Sequence, residues 1–223
     1  MNKLDRTEQR LVGVLIEKQF TVPDTYPLSE NALVDGCNQK NNRDPVTELV
    51  AFQVAGALMS LQEKGVVARV DGGGRVPKFR HKLDEVLQVG KDELAVLAEL
   101  LLRGPQAPGA LKPRVQRMGY HAAPEQIEAL LRQLHGRLPP LVELLPLAPR
   151  ERDRRWRHLL GDGSERAAEG GGEAAVGSAV AGVPVAARVE GGDASHTGLV
   201  SRIEALEAEV RRLAAELASL RRG

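Results

Sequence analysis

Two short stretches hold most of the side chains that could do chemistry. In CNQKNNRDP, residues 37–45, the chain's only cysteine stands with four amides and two cations, Lys40 and Arg43. A cation and a helix end beside Cys37 would lower its thiol pKa and suit a redox role, whereas a buried helix cysteine would be inert. Lys40 and Arg43 would suit a phosphate, particularly next to the free N–H groups of a helix start. Asn38, Gln39, Asn41 and Asn42 could donate to base edges, or could equally satisfy the backbone of a turn.

In the second stretch Arg150, Arg152, Arg154, Arg155 and Arg157 fall close together, opposed only by Glu151 and Asp153. Such a run could straddle a phosphate backbone, with arginine reaching a minor groove. The bland alternative is a solvated surface whose ion pairs contribute little. Lys112, Arg114 and Arg117 add to the charge of the same region. Trp156, between arginines, reads as a packing residue rather than a base-stacking platform.

Other chemistries find no support. There is no HExxH, CxxC, GxSxG or Walker loop, and the five histidines lack ligand spacing. DGGGR, residues 71–75, lies between two extended runs with no helix after it, so a tight turn is the reading rather than a phosphate loop. Asp24, Glu30 and Asp35 form no acid–base pair. No enzyme, cofactor or metal is expected.

The elements that must position these residues repeat. A first helix, capped at Thr7, carries Leu11, Val12, Leu15 and Ile16 on one face. A second runs from near Ser29 to Lys40. A third runs from about Pro45 to Lys64, with Asp44 as N-cap, Pro45 in the first helical position and Gly65 as the stop. VVARVDGGGRVPKFRH then signals a β-hairpin. The order recurs in KDELAVLAELLLRG, APGALKPRVQRM (where Pro113 should limit the helix start), APEQIEALLRQLHGR and the arginine-loaded hairpin LVELLPLAPRERDRRWRHLL.

Three helices followed by a hairpin is the winged-helix plan. The expected fold is therefore mainly α with small β-hairpins (α+β), as tandem winged-helix domains over 1–85 and 86–160. On this plan residues 37–45 are the bend between helices two and three. Residues 161–197 are rich in Gly and Ala, have no aromatic residue and read as a flexible linker.

Beyond the linker, in residues 198–223, Leu199, Ile203, Leu206, Val210, Leu213, Leu217 and Leu220 are spaced 4, 3, 4, 3, 4, 3. Leu at every d position with Ile203, Val210 and Leu217 at a favours a parallel two-stranded coiled coil, so a homodimer is expected. The alternative is one amphipathic helix on its own domain.

Rotating 100° per residue around the third helix puts Val50, Val54, Ala57, Leu58 and Leu61 inward. The opposite side collects Leu49, Phe52 and Met59 with Glu48 and Glu63 and no Lys or Arg. That face suits burial against a protein rather than DNA readout, unless the neighbouring hairpin covers Leu49 and Phe52. The corresponding later helix keeps Ile127, Leu130, Leu131 and Leu134 inward.

With 31 basic and 30 acidic residues the net charge is +1, so no global polyelectrolyte argument for nucleic acid exists. Residues 86–160, with 12 basic and 8 acidic side chains, are the basic part. One cysteine, no signal-peptide core and no apolar run of membrane-spanning length lead to the expectation of a soluble cytoplasmic protein.

The segment LIEKQFTVPDTYPLSENALVDGCNQKNNRDPV, together with LLLRGPQAPGALKPR, resembles the YceH-like family of uncharacterised bacterial proteins. The resemblance spans about residues 4–160, excludes the linker and tail, and implies a tandem winged-helix core but no activity. Expected partners are double-stranded DNA, contacted in a regulatory role, or a protein held by adaptor surfaces of the same two domains.

Overall fold

The computed structural model describes residues 3–70, 76–147, 149 and 151–163. The heptad positions Leu199 to Leu220, Arg150, the 71–75 turn and the linker beyond Gly163 lie outside these. Every described residue belongs to one compact unit, Met1–Ala175.

Helix α1, Arg6–Thr21, starts one turn before the bulk of its apolar stripe. Its cap is Asp5 rather than the expected Thr7. Asp5 Oδ1 accepts from the Glu8 N–H at 2.9 Å, and Glu8 Oε2 accepts from the Asp5 N–H at 2.7 Å. Thr7 would place Arg10 at the reciprocal position, which has nothing to accept with.

Every residue from Glu8 to Glu17 is buried, so α1 is enclosed around its whole circumference. Helices α2 (Glu30–Cys37), α3 (Ala51–Glu63) and α5 (Lys91–Arg103) surround it. Two glycines permit the close approach: a Cβ on Gly13 would stand 2.9 Å from Leu102, and one on Gly36 would stand 2.7 Å from Val14.

α2 is capped by Ser29 and stops at Cys37, short of the expected Lys40. α3 begins at Ala51, six residues after the expected start at Pro45. The Asn38 side chain explains the delay. Its Nδ2 donates to the Leu49 carbonyl and its Oδ1 accepts from the Leu49 N–H, both at 2.7 Å, which holds residue 49 off the helix like a strand partner. Asp44 is no cap; its N–H donates to the Leu102 carbonyl at 3.0 Å, and the Asp44–Pro45 bond is cis. Gln53 instead accepts from the Val50 N–H. The stop is as expected, with Gly65 at φ +71°.

The first hairpin pairs β2 (Val67–Val70) with β3 (Lys78–His81), Val67 opposite His81. A third short strand, β1 (Leu28–Ser29), adds to β3, giving the order β1-β3-β2. After α4 (Leu83–Leu87), the second set of elements follows: α5, α6 (Pro108–Val115), α7 (Pro124–His135), β4 (Val142–Leu144) and β5 (Trp156–His158). Pro108 opens α6, and Pro113 sits inside it rather than limiting its start.

On α7 the expected Ile127, Leu130, Leu131 and Leu134 are all buried. β4 and β5 pair with Val142 opposite His158. Gln106, just before α6, bridges Trp156 of β5 through two backbone hydrogen bonds of 3.0 and 2.8 Å. It stands where β1 stands before α2. The order helix, added strand, helix, helix, hairpin thus occurs twice, and its mixture of helices and small antiparallel sheets is an α+β architecture.

The two sets share one apolar core along the α1–α5 contact. Most charges inside it are matched, as at the corner. Arg43, expected on the surface of the corner, is only 5% exposed. It donates from Nη2 to Glu17 Oε2 at 2.6 Å, from Nε to the Gly36 carbonyl at 3.0 Å and from Nη1 to the Asn42 carbonyl at 2.8 Å. Removing one partner of a buried, hydrogen-bonded ion pair typically costs about 3–5 kcal/mol. Arg43→Ala is therefore expected to lower the unfolding free energy by that amount in urea titration. A loss below about 1 kcal/mol, the scale of an exposed ion pair, would show that the corner does not depend on it.

Candidate nucleic-acid interface

Two adjoining concavities of about 390 and 470 Å³ form a cleft between the corner after α2 and the second hairpin. Both are bordered by Asp44, by Arg103 and Pro105 at the end of α5, and by Arg155. The outer concavity adds Arg114 from α6 and the hairpin residues Glu151, Arg152 and Asp153. The inner one adds Arg6 and Arg10 of α1, Pro45 and Thr47 of the corner, and Arg157. Seven arginines from four separate stretches of sequence thus converge, against the three carboxylates of Asp44, Glu151 and Asp153.

The expected site residues divide sharply by this geometry. Arg152 and Arg154 are exposed near the turn of the second hairpin. Arg155 pairs with Glu151 at 3.1 Å, and Arg157 with Glu143 across the strands at 3.0 Å. Lys112 and Arg114 are half-buried on α6, and burial together with neighbouring Arg103 makes the charged form of Arg114 less favourable. Arg150 lies outside the described residues.

In the corner only Lys40 remains an exposed cation. Arg43 is internal, and Asn42, at φ +60°, lends its carbonyl to Arg43 while its side chain lies 3.5 Å from Arg103 Nη1. Gln39 accepts from Arg43 at 3.0 Å. The amide-rich corner therefore serves mainly the backbone and α1.

The inward and outward faces expected of α3 are seen in part. Val54, Ala57, Leu58 and Leu61 are buried, but Val50 is not. Leu49 packs on the core, whereas Phe52 is 76% and Met59 64% exposed, uncovered by any described residue of the first hairpin. Trp156 is fully buried, and its Nε1–H donates to Glu128 Oε2 at 2.8 Å.

Sequence reasoning missed the charges within α1. Glu8 accepts from Lys64 and Ser60; burial pushes its pKa up, but these bonds and the Asp5 N–H outweigh it and hold the carboxyl low. Glu99 on α5 is buried beside Arg117 at 3.3 Å, and burial raises its pKa despite that cation. Arg10 donates to the Pro45 carbonyl at 2.6 Å. The available signal was LVGVLI, residues 11–16, six consecutive apolar residues that mark a helix buried all round and draw its charged neighbours inside.

The redox possibility for Cys37 is overturned. The thiol is fully buried, and burial pushes its pKa up to about 12 although Arg10 and Arg43 lie near. Among the described residues no group of three or more His, Cys, Asp or Glu could hold a metal ion, and no helix is long and apolar enough to cross a membrane.

A family model described as "Protein of unknown function, DUF480" matches residues 4–151. A UPF0502 protein of Geotalea daltonii is 49% identical over 168 residues, 74% of this chain and 76% of its own length. One from Burkholderia multivorans is 42% identical over 221 residues, 97% of this chain and 90% of its own. Another from an Azoarcus species is 42% identical over 221 residues, covering 98% and 89%. The chain belongs to this DUF480 (UPF0502) family of uncharacterised bacterial proteins, as the two long motifs implied. The last two alignments also run past residue 151, so with these relatives the likeness extends into the tail.

A thiol titrating near 12 is almost wholly protonated at pH 8, whereas a free cysteine titrating near 8.5 is about a quarter thiolate. In the folded protein Cys37 is expected to react with a disulfide reagent at pH 8 on the order of a thousandfold more slowly than in urea. Equal rates in the two states would restore the redox role.

Proposed function

We propose that the chain is a tandem winged-helix protein that binds duplex DNA in a regulatory role, with the second hairpin supplying the phosphate contacts. The twice-repeated order of elements, including the paired β1 and Gln106 positions, supports the winged-helix reading. The observation that carries DNA binding is the gathering of Arg103, Arg114, Arg152 and Arg155 along one cleft, with Arg154 exposed beside it. Affinity for DNA comes chiefly from cations placed against phosphates. The body of α3, with Phe52 and Met59 outward, is excluded from this role and leaves contact to the hairpin, Lys40 and Lys112. A binding protein rather than an enzyme is the reading throughout. Pairing of the heptads at Leu199, Leu206, Leu213 and Leu220 would present two copies of the hairpin to two half-sites.

A second reading rests on a different surface. Phe52 and Met59 stand seven residues apart, two turns along α3, with exposed Val46 and Val50 before it. Such a patch without cations suits a protein partner, and an adaptor would need no DNA readout.

Fluorescence anisotropy with a labelled duplex tests the first reading. The Arg152→Ala, Arg154→Ala double variant is expected to bind more weakly and to flatten the slope of log K against log salt by nearly 2, about 0.9 for each lost phosphate contact. No duplex binding by the full chain at about 50 mM salt, where screening is weak, ends this reading. For the adaptor, Phe52→Asp with Met59→Asp is expected to leave the circular dichroism unchanged and abolish an association seen by light scattering. Retention of the oligomeric state would remove α3 as the contact surface.

A further inference from the structure

We propose that the cleft between the corner and the second hairpin is a binding site for a small phosphorylated metabolite. The phosphate would lie against Arg10, Arg103 and Arg155, and a hydroxyl or amine of the ligand would face Gln106. This site shares Arg103 and Arg155 with the DNA reading but does not rest on it, because Arg10 and Gln106 take no part in the proposed DNA contacts.

Three observations carry it. First, Arg10 is a cation only 5% exposed, and its one hydrogen bond among the described residues is to the neutral Pro45 carbonyl. Its Nη1 is buried without any hydrogen-bond partner, and no carboxylate among the described residues pairs with it. A guanidinium withdrawn from water and left without a counter-ion is costly, so natural interiors pair such groups. The other three charged groups within the first corner and helix that do lie inside, Glu8, Glu17 and Arg43, are all paired. Arg10 is the exception, and it lines the cleft. Burial above all, and then the nearby Arg43, disfavour its charge, while Asp44 and Glu17 favour it from beyond ion-pair distance.

Second, Arg103 also borders both concavities without a carboxylate partner among the described residues; its one bond is the 3.5 Å approach to Asn42 Oδ1. Third, Gln106 is buried in the wall of the outer concavity, where its Nε2 donates to the Glu99 carbonyl but its Oε1 accepts from no described residue. The unmatched groups are thus a donor with positive charge and an acceptor, which together call for an anion that also carries an N–H or O–H. Planar guanidinium forks meet phosphate oxygens two at a time. Each concavity falls within the roughly 300–1,000 Å³ typical of small-molecule sites.

The ligand would touch the corner that leads into α3 on one side and the hairpin on the other, so its occupancy would tie the two surfaces of the proposed function together.

Thermal unfolding of the full-length protein in inorganic pyrophosphate, against sodium chloride of matched ionic strength, tests the site. A saturable rise in melting temperature is expected with pyrophosphate and not with chloride. Arg103→Gln should raise the half-saturating concentration at least tenfold. Arg10→Met should abolish the response while leaving the unliganded protein at least as stable, because it removes a buried cation without a counter-ion. Should Arg10→Met fail to fold, Arg103→Gln alone decides. Arg154→Ala, outside the cleft, should keep the wild-type response. A pyrophosphate effect equal to that of chloride, or one unchanged in Arg103→Gln, overturns the proposal. So does a response to duplex DNA with none to pyrophosphate, an outcome that would leave the DNA reading standing.

Discussion

The structure depends on the need to satisfy the charges of a helix buried on all sides. α1 has no solvent face between Glu8 and Glu17, so the carboxylates of Glu8 and Glu17 must find partners within the protein. Lys64 and Ser60 from the end of α3 meet Glu8, and Arg43 from the corner meets Glu17. The corner is thereby folded down over α1 rather than held out to solvent. Its backbone follows: Arg43 grips the Gly36 and Asn42 carbonyls, Asn38 grips residue 49, and α3 cannot begin until Ala51. One helix's unmet charges therefore set the position of the next two elements. Because an unpaired buried charge costs far more than a solvated one, this arrangement is steep rather than permissive.

The two sets of elements share a plan but place their charge oppositely. In the first, Arg43 and the amides that serve it turn inward while Lys40 stays exposed, and the exposed side of α3 is apolar. In the second, α7 is an ordinary amphipathic helix, and charge collects on the hairpin, anchored by the buried Trp156. Glu128 holds the indole N–H and also pairs with Arg132, so the base of the hairpin is fixed while Arg152 and Arg154 stay in solvent. Cations left in solvent beyond a base held in this way are what the proposed contact to a polyanion would draw on.

How far these features were legible depended on whether they are local. α7 and its four inward residues follow from period alone, as do the two hairpins, because hydrophobic spacing and turn chemistry act within a few residues. The start of α3 was misplaced because Asp–Pro is a strong local start signal, while the competing Asn38–Leu49 bonds span eleven residues. β1 and the Gln106 bridge were invisible for the same reason: two residues, or one, carry no period of their own. Arg43 was assigned to a ligand because a cation in a polar corner reads as exposed; its partner Glu17 lies 26 residues earlier. The apolar outer face of α3 was legible, but that the described strands of the hairpin leave Phe52 bare depends on how hairpin and helix pack, which no local pattern carries.

Net charge near zero also concealed the cleft. Averaged over the chain the cations are cancelled, and even the basic middle third shows only a modest excess. Folding undoes the averaging in two ways. It withdraws Glu8, Glu17 and Glu99 into the interior, where Lys64, Arg43 and Arg117 meet them away from the cleft. It also brings Arg6, Arg103, Arg114 and Arg152 from distant positions to one concave surface, whose low-dielectric walls strengthen their joint field. At physiological salt, screening removes interactions beyond about 8 Å, so what an approaching anion meets is this local excess and not the sum over the sequence. The electrostatic case for an anionic partner is thus a property of the fold, and composition could not have made it.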